Sequence, residues 1–296
     1  MFVRTIRRTL LMRITGKLNE TTGRDILILM KGVKRMKKKR GSGVLITLCI
    51  TMLLFTGCGA KSADGKTKTG IIGAMAEEVT SLQEAMTEKK VTTIAGMNFC
   101  EGKLDGEEVV VVKCGMGKVN AGVCAELLIG EFGADQVINT GVAGSLDARI
   151  DIGDIVVSED AVQHDFDLTP IGYQRGELDS PRTISIPADE SMRERAVNAV
   201  KETAPEVNAY EGRVCSGDQF IASKEQKETI LSNFGGLCCE MEGAAIAQVC
   251  ALNDTPFVII RAISDKADNS EEMSYELFEK EAAKHCAAIT RYMIAH

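Results

Sequence analysis

The chain has 296 residues, 45% hydrophobic and 26% charged, which supplies a sizeable core and excludes a disordered or fibrous protein. Its net charge of −7 hides a polarity: residues 1–40 carry thirteen Lys and Arg against Glu20 and Asp25, residues 41–57 carry no charge, and residues 58–296 hold −18. So acidic a body argues against nucleic acid as the partner, because the phosphate backbone would repel it.

The basic end has the build of a targeting segment. Met36–Arg40 (MKKKR) is a positive n-region, and Val44–Phe55 is an apolar run of twelve residues. Twelve residues make ~18 Å of helix, short of the ~30 Å hydrocarbon core, so a signal peptide fits better than a spanning helix. Phe55–Cys58 (FTGC) closes the run with small residues before a cysteine, which resembles the lipobox of bacterial lipoproteins, although Phe55 stands where leucine is usual. The expectation is a signal segment over 1–57, lipidation at Cys58, a linker over 58–68, and a membrane-anchored protein on the extracytoplasmic face; the alternative is a basic tail with a short buried helix in a cytoplasmic protein. Residues 1–35 add nothing to this logic, so Met36 is the better start unless the n-region is long.

Order begins at Gly70–Ala74, a short buried strand. Glu77–Lys89 carries Val79, Leu82 and Met86 at helical spacing. Val91–Ile94, Met97–Leu104 and Glu108–Lys113 read as strands, Val119–Phe132 as a helix, and Gln136–Asn139 as a strand running into Gly141–Gly144 (GVAG). Asp154–Val162 is a strand, residues 165–187 an irregular excursion, and Ser191–Thr203 a helix. Arg213–Ser216 is a strand, and Lys224–Ser232 and Glu240–Leu252 are helices. Phe257–Ile263 is a strand and Tyr275–Ile294 a terminal helix. This alternation predicts one α/β domain over 69–296, three layers deep, with a mixed, mostly parallel sheet under helices. Of the ten cysteines, Cys49 and Cys58 lie in the targeting segment. The other eight show no Cys-x-x-Cys or Cys/His cluster, so buried free thiols are expected, and neither metal nor cofactor.

In such sheets ligands bind beyond the carboxyl ends of strands. There stand Glu77 and Glu78, Gly115–Gly117 (GMG), Gly141–Gly144, Glu240–Glu242 (EME), and Ser264 with Asp265. Carboxylates beside bare backbone turns suggest a small-molecule site, that of a hydrolase with paired acids. The glycine spacing does not match dinucleotide binding, and no Walker motif is present.

These same segments carry a specific resemblance. Gly70–Val79 (GIIGAMAEEV), Gly115–Val119 (GMGKV), Asn139–Gly144 (NTGVAG), Ser216–Ile221 (SGDQFI), Glu240–Gly243 (EMEG) and Arg261–Asp265 (RAISD) follow in that order. Together they resemble the bacterial 5′-methylthioadenosine/S-adenosylhomocysteine nucleosidases of the nucleoside phosphorylase superfamily, over essentially all of 69–296. The resemblance implies a partly barrel-like α/β fold, usually a homodimer, and irreversible hydrolysis of an N-glycosidic bond that releases adenine.

It also implies roles for residues. Asp265, beside Ser264, would protonate adenine at N7, a task that calls for a carboxyl whose pKa is raised by burial. Glu78 would orient and deprotonate water, and Glu242 would hold the ribose hydroxyls with Met241 lining the sugar. Phe220 would stack on adenine, the backbone of Ile221 would read its edge, and Met116 would line the pocket. Leu168, Ile171 and Tyr173 match a loop that reaches a neighbouring subunit and lines the alkylthio pocket. Arg175 and Asp179 stand near where that pocket is usually less charged, which leaves open the preference among methylthioadenosine, adenosylhomocysteine and 5′-deoxyadenosine.

Other residues have plainer readings. Glu77 suits a first-turn acid facing the helix dipole. Glu240 is expected to pair with Arg261, and His164 to be a satisfied structural histidine. Two alternatives are a purine nucleoside phosphorylase and a nucleoside-binding lipoprotein without turnover. The first needs cationic partners for phosphate; here the loop 74–78 holds two acids, and Asn139 and Val142 stand where the phosphorylases place arginine and serine. The second needs neither a proton donor nor a water base.

Overall fold

The structure, a computed structural model, describes residues 67–267 and 274–296. The signal segment, Cys58 and the linker up to residue 66 lie outside the described residues. The elements are β1 (Thr69–Gly73), α1 (Ala76–Ala85), β2 (Thr87–Ile94), β3 (Met97–Leu104), β4 (Glu107–Lys113), α2 (Lys118–Gly130), β5 (Gln136–Ser145), β6 (Ile155–Gln163), β7 (Ser185–Pro187), α3 (Glu190–Thr203), β8 (Ala209–Ser216), α4 (Lys224–Phe234), β9 (Cys238–Glu240), α5 (Gly243–Leu252), β10 (Phe257–Asp265) and α6 (Ser274–Ala295). They build one mixed sheet in the order β10-β6-β8-β9-β5-β1-β4-β3-β2, and β10 pairs with β5 as well. That extra ladder closes β5, β10, β6, β8 and β9 into a ring, the barrel-like part of the fold. The central strands β4, β1, β5 and β10 run parallel.

The near-continuous apolar runs follow from burial on both faces. In β4, Val110 and Val112 join Ile72 and Val137 in one core, while Val109 and Val111 join Ile71 and Ile138 in the other. Residues of opposite parity serve opposite cores, as a period of two requires. On the first face α2 and α5 pack with Ala121, Ala125, Ala244 and Ala247, side chains small enough to bring helices close to the sheet. The second face is covered by α1, α3 and α6 through Leu82, Met192, Ala196, Cys286 and Met293. Asp189 caps α3 by accepting from the Met192 N–H at 2.9 Å, and Ser223 caps α4 through Gln226.

The structure departs from the expected element bounds in instructive places. The helix predicted over Glu77–Lys89 stops at Ala85. From Thr87 the chain pairs with β3 through a turn in which Ala95 and Gly96 both take positive φ, so hairpin pairing outweighs helical continuation. The segment Gly141–Gly144 is not a turn but the second half of β5, paired with β10 as far as Asp265. Glu240 ends β9 rather than opening a helix; α5 begins at Gly243, with Glu242 at the N-cap. Within the excursion only a short 3₁₀ turn at Thr169–Ile171 and β7 are regular. All eight cysteines from Cys100 to Cys286 are free and buried, and burial pushes the Cys114 thiol up to about 12.

Candidate active site

Glu78 follows β1 by one helical turn. At the third position of α1 its Oε2 accepts from the backbone N–H groups of Ala74 (2.6 Å) and Met75 (2.9 Å), tying the helix start to the strand end. Its Oε1 accepts from the Val142 N–H in β5 at 3.1 Å. Glu78 is only 2% exposed, and that burial raises its pKa against the opposing pull of Arg261. Glu77, one residue earlier, is exposed on the outer side of the first turn, as expected of a dipole-facing acid. Gly141 makes the approach of Glu78 feasible: a Cβ there would meet the Glu78 carboxylate and lie 2.8 Å from Arg261 Nη1. The glycine provides room for a carboxylate rather than a turn.

Beneath the site lies a buried ionic network. Arg261 on β10 donates to Glu240 on β9 and to Asn139 Oδ1 on β5 at 2.6 Å. Asn139 in turn donates from Nδ2 to the Ile72 carbonyl at 3.0 Å. Glu240 also accepts from the Ser216 hydroxyl and from the backbone N–H groups of Glu242 (3.0 Å) and Gly243 (2.8 Å). Burial penalises the Glu240 charge, but the charge and hydrogen bonds of Arg261 outweigh it and hold the carboxyl below its ordinary range. The expected Glu240–Arg261 pair is thus present, and its further task is to fix the backbone on which Glu242 sits. Asn139 and Ser216 belong to the NTGVAG and SGDQFI segments, but nothing in those segments signals their part in this network.

Glu242 projects into the pocket and accepts from the Gly117 N–H at 2.8 Å. Burial, then the neighbouring Glu240 charge, pushes its pKa up to about 7. Asp265 ends β10 against the bare backbone of Gly144. Its Oδ1 accepts from the Ala267 N–H at 2.8 Å, and its Oδ2 lies 2.9 Å from the Ser264 hydroxyl. Ser264 is fully buried, whereas Asp265 is half-buried at the pocket wall, more open than the enclosed acid expected from sequence.

One pocket gathers Glu78, Met116, Phe220, Ile221, Met241, Glu242, Ser264 and Asp265, together with Cys239, Gln219 and the β5 residues Val142–Gly144. Eight of the expected site residues therefore converge from five separate segments of the chain. Among the described residues, no lysine or arginine lines the pocket. Met116 and Phe220 form an open mouth, 62% and 59% exposed. Within one chain Leu168, Ile171 and Tyr173 do not line this pocket. Ile171 is 71% exposed, and the Tyr173 hydroxyl donates to Asp179 at 2.6 Å. Arg175 pairs with Asp167 at 2.9 Å and Arg182 with Glu177 at 2.8 Å, so these charges of the excursion are satisfied within it. His164 is buried outside the pocket, and among the described residues its Nε2 has no hydrogen-bond partner, contrary to the expected satisfied histidine.

This ring-closed sheet, with three acids at one rim, defines a class: the chain belongs to the phosphorylase superfamily, whose family model matches residues 68–295. It is 43% identical over 230 residues to the 5′-methylthioadenosine/S-adenosylhomocysteine nucleosidase of Shewanella loihica, covering 77% of this chain and 99% of that protein. Within the superfamily, its family is that of these nucleosidases. The Neisseria meningitidis nucleosidase, solved with methylthio-immucillin-A, is 36% identical with a TM-score of 0.74, over 77% of this chain and 99% of that one. A futalosine hydrolase of Helicobacter pylori is 34% identical at the same TM-score, over 78% and 99% of the two chains.

Proposed function

We propose that this protein is an N-glycosyl hydrolase that cleaves 5′-methylthioadenosine and S-adenosylhomocysteine to adenine and the 5-substituted ribose, with 5′-deoxyadenosine as a further candidate. Breaking the bond from C1′ to N9 builds positive charge on the sugar and negative charge on the base, in an oxocarbenium-like transition state. Asp265 delivers a proton to adenine N7, with Ser264 against its carboxyl. Glu78 holds and deprotonates the attacking water, and Glu242 grips the ribose hydroxyls. Phe220 stacks on the base and Met241 packs on the sugar.

The observation that carries this reading is the charge of the pocket: of the four carboxylates that line it, Glu240 is engaged by Arg261 beneath, while Glu78, Glu242 and Asp265 are left to face the space, and among the described residues no cationic side chain lines it. Phosphate placed near C1′ would meet Glu78 rather than a counter-charge, which in a dry pocket costs kilocalories. Water is the nucleophile such a site accepts. Purified protein in phosphate-free buffer should release adenine and free alkylthioribose at full rate. Ribose 1-phosphate, or a rate that saturates with added phosphate, would transfer the assignment to a phosphorylase. Nucleoside bound but never cleaved would make it a nucleoside-binding protein. Parallel rates on 5′-deoxyadenosine and futalosine rank the substrates.

The working form is a homodimer in this reading. Met116, Val119, Val123, Phe220 and Ile171 leave large apolar side chains exposed, and a second copy would cover them. Light scattering that finds a fully active monomer at micromolar concentration would refute it. The mature protein starts at lipidated Cys58 and stands on the outer face of the membrane, supported by the basic n-region, the apolar run and the Gly57–Cys58 junction. Mass spectrometry of the native N-terminus decides this point, and an unprocessed chain starting at Met1 or Met36 sinks it.

A further inference from the structure

Two consecutive backbone N–H groups at the start of α2 serve different parts of the site. That of Gly117 donates to Glu242 Oε1, and that of Lys118 donates to Asp218 Oδ1, each at 2.8 Å. Asp218 belongs to the loop that carries Phe220 and Ile221. The Asp218 N–H donates to Asp165 Oδ2 at 2.8 Å, and Asp165 Oδ1 accepts from Lys118 Nζ at 2.6 Å. The circuit closes on Lys118. Both side chains of this ion pair are less than one-fifth exposed. The fit is close: a Cβ on Gly117 would lie 3.1 Å from Asp218 Oδ1, and one on Gly217 would lie 3.1 Å from Asp165 Cγ.

A second branch leaves the same ammonium group. Lys118 Nζ lies 3.1 Å from Gln163 Oε1, Gln163 Nε2 donates to Gln248 Oε1 at 2.7 Å, and Gln248 Nε2 donates to the Ser180 carbonyl at 2.7 Å. Gln248 rides on α5, the helix that Glu242 begins. Lys118 is thus joined to the loop proposed to hold the base, to the helix bearing the ribose carboxylate, and to the excursion, yet it does not line the pocket.

We propose that Lys118 and Asp165 are positioning residues that hold the Asp218–Ile221 loop and Glu242 in one frame, so that base and sugar are gripped together. This rests on the reading of the pocket as an adenine-nucleoside site. The device suits a nucleoside, because base and sugar are joined at a fixed separation, and both grips form at full strength only when the two holding segments keep that separation. A closed hydrogen-bonded ring resists such displacement better than separate contacts do.

The test uses full-length protein and the variants Lys118→Gln, Asp165→Asn, Lys118→Arg and the Lys118→Gln/Asp165→Asn double. Adenine affinity by calorimetry, KM, kcat and the thermal midpoint are measured on each. Lys118→Gln and Asp165→Asn should each weaken adenine binding and raise KM about tenfold, the size expected of one lost charge-assisted hydrogen bond, with a smaller change in kcat. The double should be no worse than the poorer single, because the pair acts as a unit, and Lys118→Arg should recover most of the affinity. Asp165→Asn is isosteric and carries the test should Lys118→Gln fail to fold. Folded single variants with a lower thermal midpoint but unchanged adenine affinity and KM would overturn the proposal, as would losses that multiply in the double. Wild-type protein that neither binds nor releases adenine would instead overturn the functional reading on which it stands.

Discussion

Arg261 and Glu240 form an ion pair below the pocket in which both side chains are 2% exposed. Glu242 sits two residues from one partner, and its Oε2 lies 3.8 Å from the guanidinium of the other. One cation therefore serves two carboxylates, and the less favoured of them, Glu242, faces the pocket. Removing one member of a buried pair strands the other charge, typically at a cost of about 3–5 kcal/mol. Arg261→Met should destabilise the fold by that order in chemical denaturation. A loss below about 1 kcal/mol would show that water reaches the pair.

Glu78→Gln and Asp265→Asn keep shape and remove, in turn, the proposed water base and the proposed leaving-group acid. General acid–base steps contribute about 10²–10⁴-fold each, so kcat should fall by that order while circular dichroism stays native. The two groups act in one transition state, and the double variant should lose less than the product of the single losses. Wild-type turnover in folded Glu78→Gln would move water activation elsewhere.

The pH profile reports Glu242. Its pKa, raised from the ordinary glutamate value to about 7, means that the native state keeps a proton that the unfolded chain releases above pH 4.5. The native state binds more protons between those values, so this group makes stability fall as pH rises from about 4.5 to 7 and leaves it level above. Binding runs the other way, because in the proposed reading the ionised carboxylate is the acceptor for the ribose hydroxyls. In the free enzyme kcat/KM should therefore fall as pH drops through about 7. Glu242→Gln should be weak at every pH and lack this limb. A limb that survives in Glu242→Gln belongs to another group.

Two glycine substitutions should have opposite signs. Gly141→Ala drives a methyl group into the Glu78 carboxylate and Arg261, and should cost about 1–3 kcal/mol together with most of the activity. In α2, a Cβ on Gly122 would meet nothing nearer than Val249 Cγ2 at 3.8 Å, so Gly122→Ala should stabilise by about 0.5–1 kcal/mol. Equal effects on thermal midpoint and turnover would refute the space argument.

Much of this molecule could be read directly from the chain. The four valines Val109–Val112 mark a strand buried on both faces, because alternate side chains must enter opposite cores. The three carboxylates were legible through the motifs around them, and Glu77 could be separated from Glu78 by its place on the first turn. Tertiary structure decided what depends on distant segments meeting. Gly141–Gly144 looked like a turn from its composition, yet pairing with β10 and the carboxylates of Glu78 and Asp265 make it a strand that must remain bare. Lys118 and Asp165 lie 47 positions apart, and Lys118 and Asp218 lie 100 apart. Their local surroundings give no sign that they meet, because periodicity and capping encode only neighbours within a few residues, whereas a hydrogen-bonded ring across three loops exists only after the sheet has brought its carboxyl ends to one rim.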